Sequence, residues 1–460
     1  MRFWIDRHGC AKNDVDGEEI AARLEAAGHS FAEGPEGADL VIVNTCGFIE
    51  DAKKESIEAV VGIKAAFPGK RVLVAGCLSQ RYAAQLAADL PEADGIVGNA
   101  DLGAVLAAAE STLAGERPVL VPEIPRTEAR HTQLAEGGHV QPIPYSQYVK
   151  RIRRFDFPGT AHAKATEGCS NFCAFCAIPL IRGALRSRPL DEVLAECLDL
   201  VAQGARELVL IGQDLGSYGR DSGGPSLLPE LLAAISAAEG DFRLRTLYIH
   251  PDNFPERALG VMAADPRILP YFDLPFQHAS ARILEAMNRR GSAEAYLELI
   301  ARIRGVLPDS AIRSTFLIGF PGETDEDFAA LRDFQERARL DWVGSFAYSR
   351  EEGTAAYDMR GRVPKKTVAA RRRAIEEAQE RITRERLERF VGRELDVLVE
   401  EKVERASEDG EALSIGRTWN QAPEVDGLTV LRGSHEPGTV LRSRILAVNG
   451  VDFDAAPRGT

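Results

Sequence analysis

The chain has 460 residues, too many for one ordinary hydrophobic core, so we expect two to four domains. Hydrophobic residues make up 45% and aromatic residues 7% of the sequence, which is typical of globular proteins and excludes general disorder. The net charge of −14 argues against a generally basic surface for nucleic acid. Since no apolar stretch has the length of a membrane helix or the pattern of a signal peptide, we expect a cytoplasmic protein without membrane contact.

The seven cysteines are an odd number, and a reducing compartment makes them better metal ligands than disulfide partners. Cys197 is the exception among them. It shares one face of a predicted helix with Val193, Leu194 and Val201, and we interpret it as a small hydrophobic residue of the core. The other six cysteines are candidate ligands.

The first part of the chain predicts an α/β domain with a parallel sheet, which we assign to residues 1–120. Apolar strand-like segments at 3–5, 40–43 and 72–75 are each followed by a helical pattern. Residues 121–158 are rich in proline, glycine and charged residues without clear periodicity, so we interpret them as a linker.

The central part, assigned to residues 159–390, alternates strand and helix signals. With the short strand before Cys169, six βα units are predicted, and the other five strand segments are residues 208–211, 244–249, 272–274, 312–318 and 342–348. Eight such units close a full barrel, so six predict an open, partial (β/α)6 barrel. Residues 365–388 predict a long helix whose interleaved charges form a solvated face.

The last part, assigned to residues 391–456, switches to short alternating strands separated by glycine, proline and aspartate. This pattern predicts a small all-β barrel. The overall fold class is therefore α/β, with a parallel-sheet domain, a central partial barrel and a C-terminal β-barrel.

The strongest local motif is a group of three cysteines, Cys169, Cys173 and Cys176, in the segment EGCSNFCAFCAIP. Thiolates at this spacing in one loop can converge on an iron–sulfur cluster and leave its fourth iron open. Zinc is the alternative, but it normally takes four protein ligands, and the spacing of His162 does not support it as the fourth. A buried apolar core is a poor alternative because glycine, serine and asparagine surround the thiols.

A second group consists of Cys10, Cys46 and Cys77, which each follow a predicted parallel strand. Because α/β sheets place their ligand crevices at the carboxyl ends of strands, these thiols are expected to meet in space. Gly47 and Gly76, beside two of them, suit a close approach of backbone to a bound cluster. A single cysteine after a strand is more often a core residue, but three in the same topological position indicate a second metal site.

The C-x3-C-x2-C motif at the start of a βα series resembles the radical S-adenosylmethionine superfamily. The resemblance implies a [4Fe–4S] cluster whose open iron chelates the amino and carboxylate groups of S-adenosylmethionine. Reduction of the sulfonium then gives a 5′-deoxyadenosyl radical that takes hydrogen from an unactivated carbon. No side chain is therefore expected to be catalytic by itself, since clusters and cofactor carry the chemistry.

The whole chain resembles the methylthiotransferases, which combine three spaced N-terminal cysteines, a radical barrel and a C-terminal barrel of the TRAM type. This resemblance implies a second [4Fe–4S] cluster that delivers or carries sulfur, and a product that bears SCH3 in place of hydrogen. NTCGFIEDA, YFDLPFQHAS, RSTFLIGFPGETDEDF and APEVDG resemble the branch that acts on the β-carbon of an aspartate in small-subunit ribosomal protein twelve. GCAKNDVDGEE departs from the usual GCPKNLVDSE but keeps Cys10.

Cofactor contacts follow from the same resemblance. Phe175, before the third loop cysteine, is expected near the adenine, although a loop aromatic anchored in the core is the alternative. Gln213 and Asp214 follow the second barrel strand, where the superfamily contacts the cofactor amine. They are equally typical of cap and turn positions.

Two further pairs are expected to line the cofactor cleft. Gln277 and His278 follow the fourth barrel strand, although a lone histidine often has only a structural role. Gly319 and Glu323 follow the fifth strand in a segment that resembles the adenine-side motif of the family. Glu323 is also able to cap the next helix.

Charge in the C-terminal barrel favours a protein substrate over RNA. Residues 391–453 contain twelve acids and seven bases, whereas a barrel that grips RNA should be basic. An acidic barrel suits a basic ribosomal protein and predicts no strong nucleic-acid binding, although plain solvated surface is the alternative. An electron donor is a further expected partner.

Two competing functions remain open from the sequence. The first is methylthiolation of a tRNA adenosine, which a basic C-terminal barrel would have favoured. The second is a zinc-stabilised protein that binds the ribosome or RNA without catalysis. Iron content separates the second from an enzyme with two clusters, which predicts about eight irons per chain.

Overall fold

The computed structural model describes residues 1–124, 149–403 and 412–458. The chain forms two compact units. The first unit consists of residues 1–155, 164–192 and 349–357, and the second of residues 156–163, 193–348 and 358–460. Most of the linker expected at 121–158 lies outside the described residues, so the domain boundaries stay a prediction.

The first unit contains a six-stranded sheet. Its strands are β1 (Arg2–Arg7), β2 (Ser30–Phe31), β3 (Leu40–Thr45), β4 (Arg71–Gly76), β5 (Gly95–Val97) and β6 (Val119–Leu120). Its first helices are α1 (Ala11–Ala26), α2 (Glu50–Ala66), α3 (Cys77–Asp89) and α4 (Val105–Leu113). The spatial order is β2-β1-β3-β4-β5-β6, and every pair is parallel, which confirms the predicted α/β domain.

Both faces of this sheet are buried because side chains alternate along each strand. Ile42 packs in one core with helices α1 and α4, whereas Val41 and Val43 pack in a second core with α2 and α3. Burying each such side chain contributes roughly 1.5–3 kcal/mol to folding. These cores hold the carboxyl ends of β1, β3 and β4 side by side at one edge of the sheet.

The loop with Cys169, Cys173 and Cys176 lies in the segment between residues 160 and 187. Its elements are β7 (Thr160–Lys164), β8 (Thr166–Glu167), α5 (Ile178–Ile181) and β9 (Arg186–Ser187). β8 and β9 pair in an antiparallel ladder that closes the loop between them. From residue 164 onward this segment packs with the first unit.

The second unit contains the partial barrel. Its further strands are β10 (Glu207–Ile211), β11 (Arg243–Thr246), β12 (Tyr271–Asp273), β13 (Ala311–Ile318) and β14 (Trp342–Ala347). Its helices are α6 (Leu190–Ala202), α7 (Leu228–Ser236), α8 (Arg257–Ala264), α9 (Ala281–Ala286), α10 (Ala293–Val306) and α11 (Asp325–Ala338).

The six barrel strands follow one another in chain order. β7, β10 and β11 form one three-stranded sheet, and β12, β13 and β14 form another. A parallel bridge between Leu244 and Ile268 joins the two, and the N–H of Leu269 donates to the carbonyl of Leu244 at 2.8 Å. The open (β/α)6 arrangement predicted from the sequence is thus confirmed.

A long helix and a closed β-barrel complete the second unit. The helix is α12 (Lys365–Leu387), and the barrel strands are β15 (Glu394–Val403), β16 (Leu413–Arg417), β17 (Thr429–Arg432), β18 (Val440–Asn449) and β19 (Asp452–Pro457). The barrel closes in the order β15-β16-β17-β19-β18. Within the described residues, no helix combines the length and apolar character needed to cross a membrane.

Candidate functional site

The three N-terminal thiols lie at the carboxyl ends of three neighbouring strands. Cys10 is the N-cap of α1 after β1, Cys46 directly follows β3, and Cys77 opens α3 after β4. A Cβ atom added at Gly9 would lie 3.2 Å from the Cβ of Cys46, so the first two loops are in close contact. The structure therefore brings together the cysteines that the sequence placed 36 and 31 positions apart.

Glycines allow these loops to approach each other. Gly76 has φ of +96°, and a Cβ at this position would lie 2.5 Å from the carbonyl oxygen of Thr45. A Cβ at Gly47 would lie 2.8 Å from the carbonyl oxygen of Cys77. Side chains at these two positions would push the Cys46 and Cys77 loops apart.

Asn13 links all three cysteine loops. Its Nδ2 donates to the carbonyl of His8 at 2.9 Å, before Cys10, and to the carbonyl of Thr45 at 3.0 Å, before Cys46. Its Oδ1 accepts from the Cys77 thiol at 3.3 Å. Asn13 was not among the residues predicted from the sequence, although its place three positions after Cys10 was a signal.

The Cys77 sulfur also accepts hydrogen bonds. Asn99 Nδ2 lies 3.4 Å and Arg182 Nη2 lies 3.3 Å from Cys77 Sγ. N–H donors of this kind stabilise a thiolate and tune the cluster that it ligates. Arg182 was also missed by sequence analysis, although a charge in the apolar segment AIPLIRG was a signal.

Burial raises the pKa of two of the three N-terminal thiols, Cys46 and Cys77, and so favours their protonated form. It raises the pKa of Cys77 to about 12, and the positive charge of Arg182 acts in the opposite direction. Burial also raises the pKa of Cys46. Because thiolates are the metal-binding form, loading this site with metal releases protons.

One closed loop contains Cys169, Cys173 and Cys176, and all three side chains are half-buried. Cys169 N–H donates to the carbonyl of Gly183 at 3.1 Å, and Cys176 N–H donates to the carbonyl of Cys173 at 2.9 Å. Asn171 Nδ2 lies 3.4 Å from Cys169 Sγ as a donor. Backbone hydrogen bonds within the loop therefore fix the positions of Cys169 and Cys176.

Both groups fit an iron–sulfur cluster in donor chemistry, since each offers three thiols and an N–H donor to sulfur. None of the seven cysteines forms a disulfide. Across the described part of the chain, no three His, Cys, Asp or Glu side chains are grouped as a single metal ion requires. A four-iron cluster is wider than one ion, so its thiolates stand further apart. Cys197 is fully buried in α6, as expected.

The expected cofactor residues Phe175 and Gln213 are both half-buried. Asp214 is 1% exposed, and its carboxylate accepts three hydrogen bonds. The donors are the N–H of His250 at 3.0 Å, Asn253 Nδ2 at 2.7 Å and Ser217 Oγ at 2.6 Å. The turn role considered for Asp214 is therefore present.

Gln277 has a left-handed backbone with φ of +68°, a conformation that costs a non-glycine residue of the order of 1 kcal/mol. Hydrogen bonds of 2.8 Å with the backbone of Thr315 and Leu317 hold it against β13. His278 is fully buried, and burial lowers its pKa to about 4, so its ring is neutral at pH 7. Its Nδ1 accepts from the N–H of Ser280 at 3.0 Å.

Glu323 turns back toward the fifth barrel strand. Its Oε2 accepts the N–H of Gly319 at 2.7 Å, and its Oε1 accepts from Arg371 at 2.5 Å. Burial raises the pKa of Glu323 despite these donors. The alternative role as a helix cap is wrong, because Thr324 caps α11 and forms a capping box with Asp327.

Comparison with known proteins agrees with this architecture. Residues 2–98 match the Uncharacterized protein family UPF0004, residues 164–334 match the Radical SAM superfamily, and residues 391–457 match the TRAM domain. The radical S-adenosylmethionine methyltransferase TsrM from Kitasatospora setae has a similar fold. Its TM-score is 0.56 at 16% identity, with 77% of this chain and 73% of that chain covered.

Full-length relatives are more similar. A ribosomal protein uS12 methylthiotransferase RimO from Treponema denticola is 44% identical over 98% of this chain and 99% of that protein. The RimO from Acidothermus cellulolyticus is 42% identical over 98% of this chain and 94% of that protein. With three matching domains and this identity over nearly the whole length, the chain belongs to the RimO family of radical S-adenosylmethionine methylthiotransferases.

Proposed function

We propose that this protein replaces a hydrogen by SCH3 on the β-carbon of an aspartate in small-subunit ribosomal protein uS12. Membership of the radical S-adenosylmethionine superfamily implies that the protein binds S-adenosylmethionine and one [4Fe–4S] cluster. We further propose that a second [4Fe–4S] cluster binds Cys10, Cys46 and Cys77. The observation that carries this proposal is the convergence of these thiols at neighbouring strand ends.

The two cysteine groups have different roles in this proposal. When bound, the clusters and S-adenosylmethionine supply the radical and the transferred sulfur and methyl group. Cys169, Cys173 and Cys176 hold the radical cluster, and the backbone of their loop fixes its position. The N-terminal thiols hold the second cluster, and Asn13 ties their three loops together.

Seven residues are proposed as cofactor contacts: Phe175, Gln213, Asp214, Gln277, His278, Gly319 and Glu323. The left-handed backbone of Gln277 supports this role, since strained residues cluster at functional sites. At Gly319, φ is +80° and a Cβ would lie 2.4 Å from Val368, so backbone there is free of a side chain. Asp214 and His278 orient the loops at their strand ends through hydrogen bonds to neighbouring residues.

We also propose that the C-terminal barrel attracts a basic ribosomal protein through its acidic charge. One acid of this excess is internal, because the Asp426 side chain is fully buried beside Arg313. Residues 404–411 carry four of the acids and one base, and they lie outside the described residues. We propose an external electron donor and a cytoplasmic location as well.

Mass spectrometry of uS12 and of tRNA, from cells with and without the gene, tests the substrate. The expected result is loss of one CH2S unit of mass from the uS12 aspartate in cells that lack the enzyme. Loss of the modification from a tRNA adenosine instead, with uS12 unchanged, would contradict the proposal. The named relatives favour the ribosomal-protein substrate over tRNA and over a non-catalytic role.

A further inference from the structure

Four charged side chains, those of Asp16, Lys164, Glu167 and Arg182, form a closed ring in the first unit. Arg182 Nη2 donates to Asp16 Oδ2 at 2.7 Å, and Arg182 Nη1 donates to Glu167 Oε1 at 2.8 Å. Lys164 Nζ lies 2.9 Å from Glu167 Oε2 and also pairs with Asp16 Oδ1. Acids and bases therefore alternate around the ring.

The ring is deeply buried and has no net charge. The side chains of Asp16, Lys164, Glu167 and Arg182 are between 1% and 7% exposed. Removing four charges from water is costly, and buried ion pairs often contribute no net stability compared with apolar residues. Stability alone is therefore a weak reason for a ring of this kind.

The Arg182 side chain of the ring also contacts a cysteine of the proposed N-terminal cluster site. Arg182 Nη2, which binds Asp16, also lies 3.3 Å from Cys77 Sγ and 2.8 Å from Asn13 Oδ1. The ring thus places its Arg182 guanidinium beside a proposed cluster ligand. A positive charge and an N–H donor beside a ligating sulfur favour the reduced state of a cluster.

We propose that Arg182 is a positioning residue that raises the reduction potential of the cluster held by Cys10, Cys46 and Cys77, and that Asp16 opposes it. This inference rests on the proposed function, since it assumes that a cluster binds these thiols. Arg182 and Glu167 flank the loop of the radical cluster in sequence, so the same ring ties that loop to α1.

The test is a redox titration of the N-terminal cluster, followed by electron paramagnetic resonance. The full chain carries Cys169→Ala, Cys173→Ala and Cys176→Ala, so that only one cluster reports. Arg182→Gln should lower the reduction potential and Asp16→Asn should raise it, each by at least a tenfold change in the ratio of reduced to oxidised cluster. For a one-electron couple this is a shift of about 59 mV.

Opposite signs are the decisive result. A purely structural role would loosen the site in both variants and move both potentials in the same direction. Shifts of the same sign, or no shift in either variant, would overturn the inference. If Arg182→Gln does not fold, Asp16→Asn decides alone, because an unchanged or lowered potential in that variant is equally contradictory.

Arg151→Gln is the matched control, since Arg151 is also buried in the first unit and pairs with Glu18 on α1. Its potential should remain that of the parent chain. If no cluster binds the N-terminal thiols, the result is different. The parent chain, with Cys169, Cys173 and Cys176 replaced by alanine, would then bind no iron. A parent chain with iron and unshifted variants contradicts only the role of the ring.

Discussion

Tyr271, at the start of barrel strand β12, donates a hydrogen bond of 2.5 Å from its hydroxyl to the carboxylate of Asp426, between β16 and β17. The same oxygen of Asp426 accepts the N–H of Ala422 at 2.8 Å, and Arg313 Nε lies 3.4 Å from the other oxygen. A buried carboxylate therefore fastens the C-terminal barrel to the partial barrel within the second unit.

This carboxylate predicts a pH dependence of stability. Burial raises the pKa of Asp426 to about 6, and Arg313 only partly opposes the shift. The folded state thus holds a proton that the unfolded chain has released, so the unfolding free energy falls as pH rises from about 4 to 6. The shift corresponds to roughly 3 kcal/mol.

Asp426→Asn should remove this fall, because asparagine has no proton to lose and still accepts from Tyr271. Calorimetric melting of the full chain between pH 4 and pH 7 measures the effect. A variant whose melting temperature keeps the slope of the parent protein would show that Asp426 is not the group responsible.

The two cysteine groups should have separable functions. Replacing Cys169, Cys173 and Cys176 by alanine should abolish cleavage of S-adenosylmethionine to 5′-deoxyadenosine. Replacing Cys10, Cys46 and Cys77 should leave some cleavage but stop sulfur insertion, since the radical loop keeps its own thiols. Methylthiolated uS12 from the second variant would contradict the proposed auxiliary cluster. Cys197→Ala is a control outside both groups.

Gly76→Ala should disrupt only the N-terminal cluster. The new Cβ would lie 2.5 Å from the carbonyl oxygen of Thr45 at a positive φ, so the Cys46 and Cys77 loops must separate. Iron in the reconstituted chain should fall from about eight to about four per molecule.

Gly62→Ala is the control for this prediction, because open space surrounds that position in α2. It should retain full iron content and gain roughly 0.5–1 kcal/mol of helix stability. Equal iron content in the Gly76 and Gly62 variants would show that close loop contact is unnecessary for cluster binding.

The capping box of α11 predicts a measurable loss of stability. Thr324 Oγ1 accepts the N–H of Asp327 at 3.3 Å, and Asp327 Oδ2 accepts the N–H of Thr324 at 2.9 Å. Thr324→Ala should cost about 1 kcal/mol in unfolding free energy, measured by denaturant titration. Thr324→Ser keeps an acceptor and should recover most of the loss. Equal losses in both variants would place the effect elsewhere than in the cap.

The secondary-structure elements and the candidate ligands were readable from local sequence patterns. Strand segments such as 40–43 are apolar at every position because parallel strands are buried on both faces, and this signal is local. Cys46 follows such a segment directly, so its place at a strand end was readable. The C-x3-C-x2-C spacing is equally local, because one loop contains all three thiols.

The surroundings of those thiols depend on long-range packing and were not readable from the sequence. Asn13 and Arg182 are 169 positions apart, and Asp16 and Lys164 are 148 positions apart, yet both pairs form hydrogen bonds. Neither periodicity nor motif spacing encodes such contacts, because they depend on how separate elements pack against one another. A buried charge is also indistinguishable from a surface charge in a sequence, so the ring at Cys77 became visible only in the folded chain.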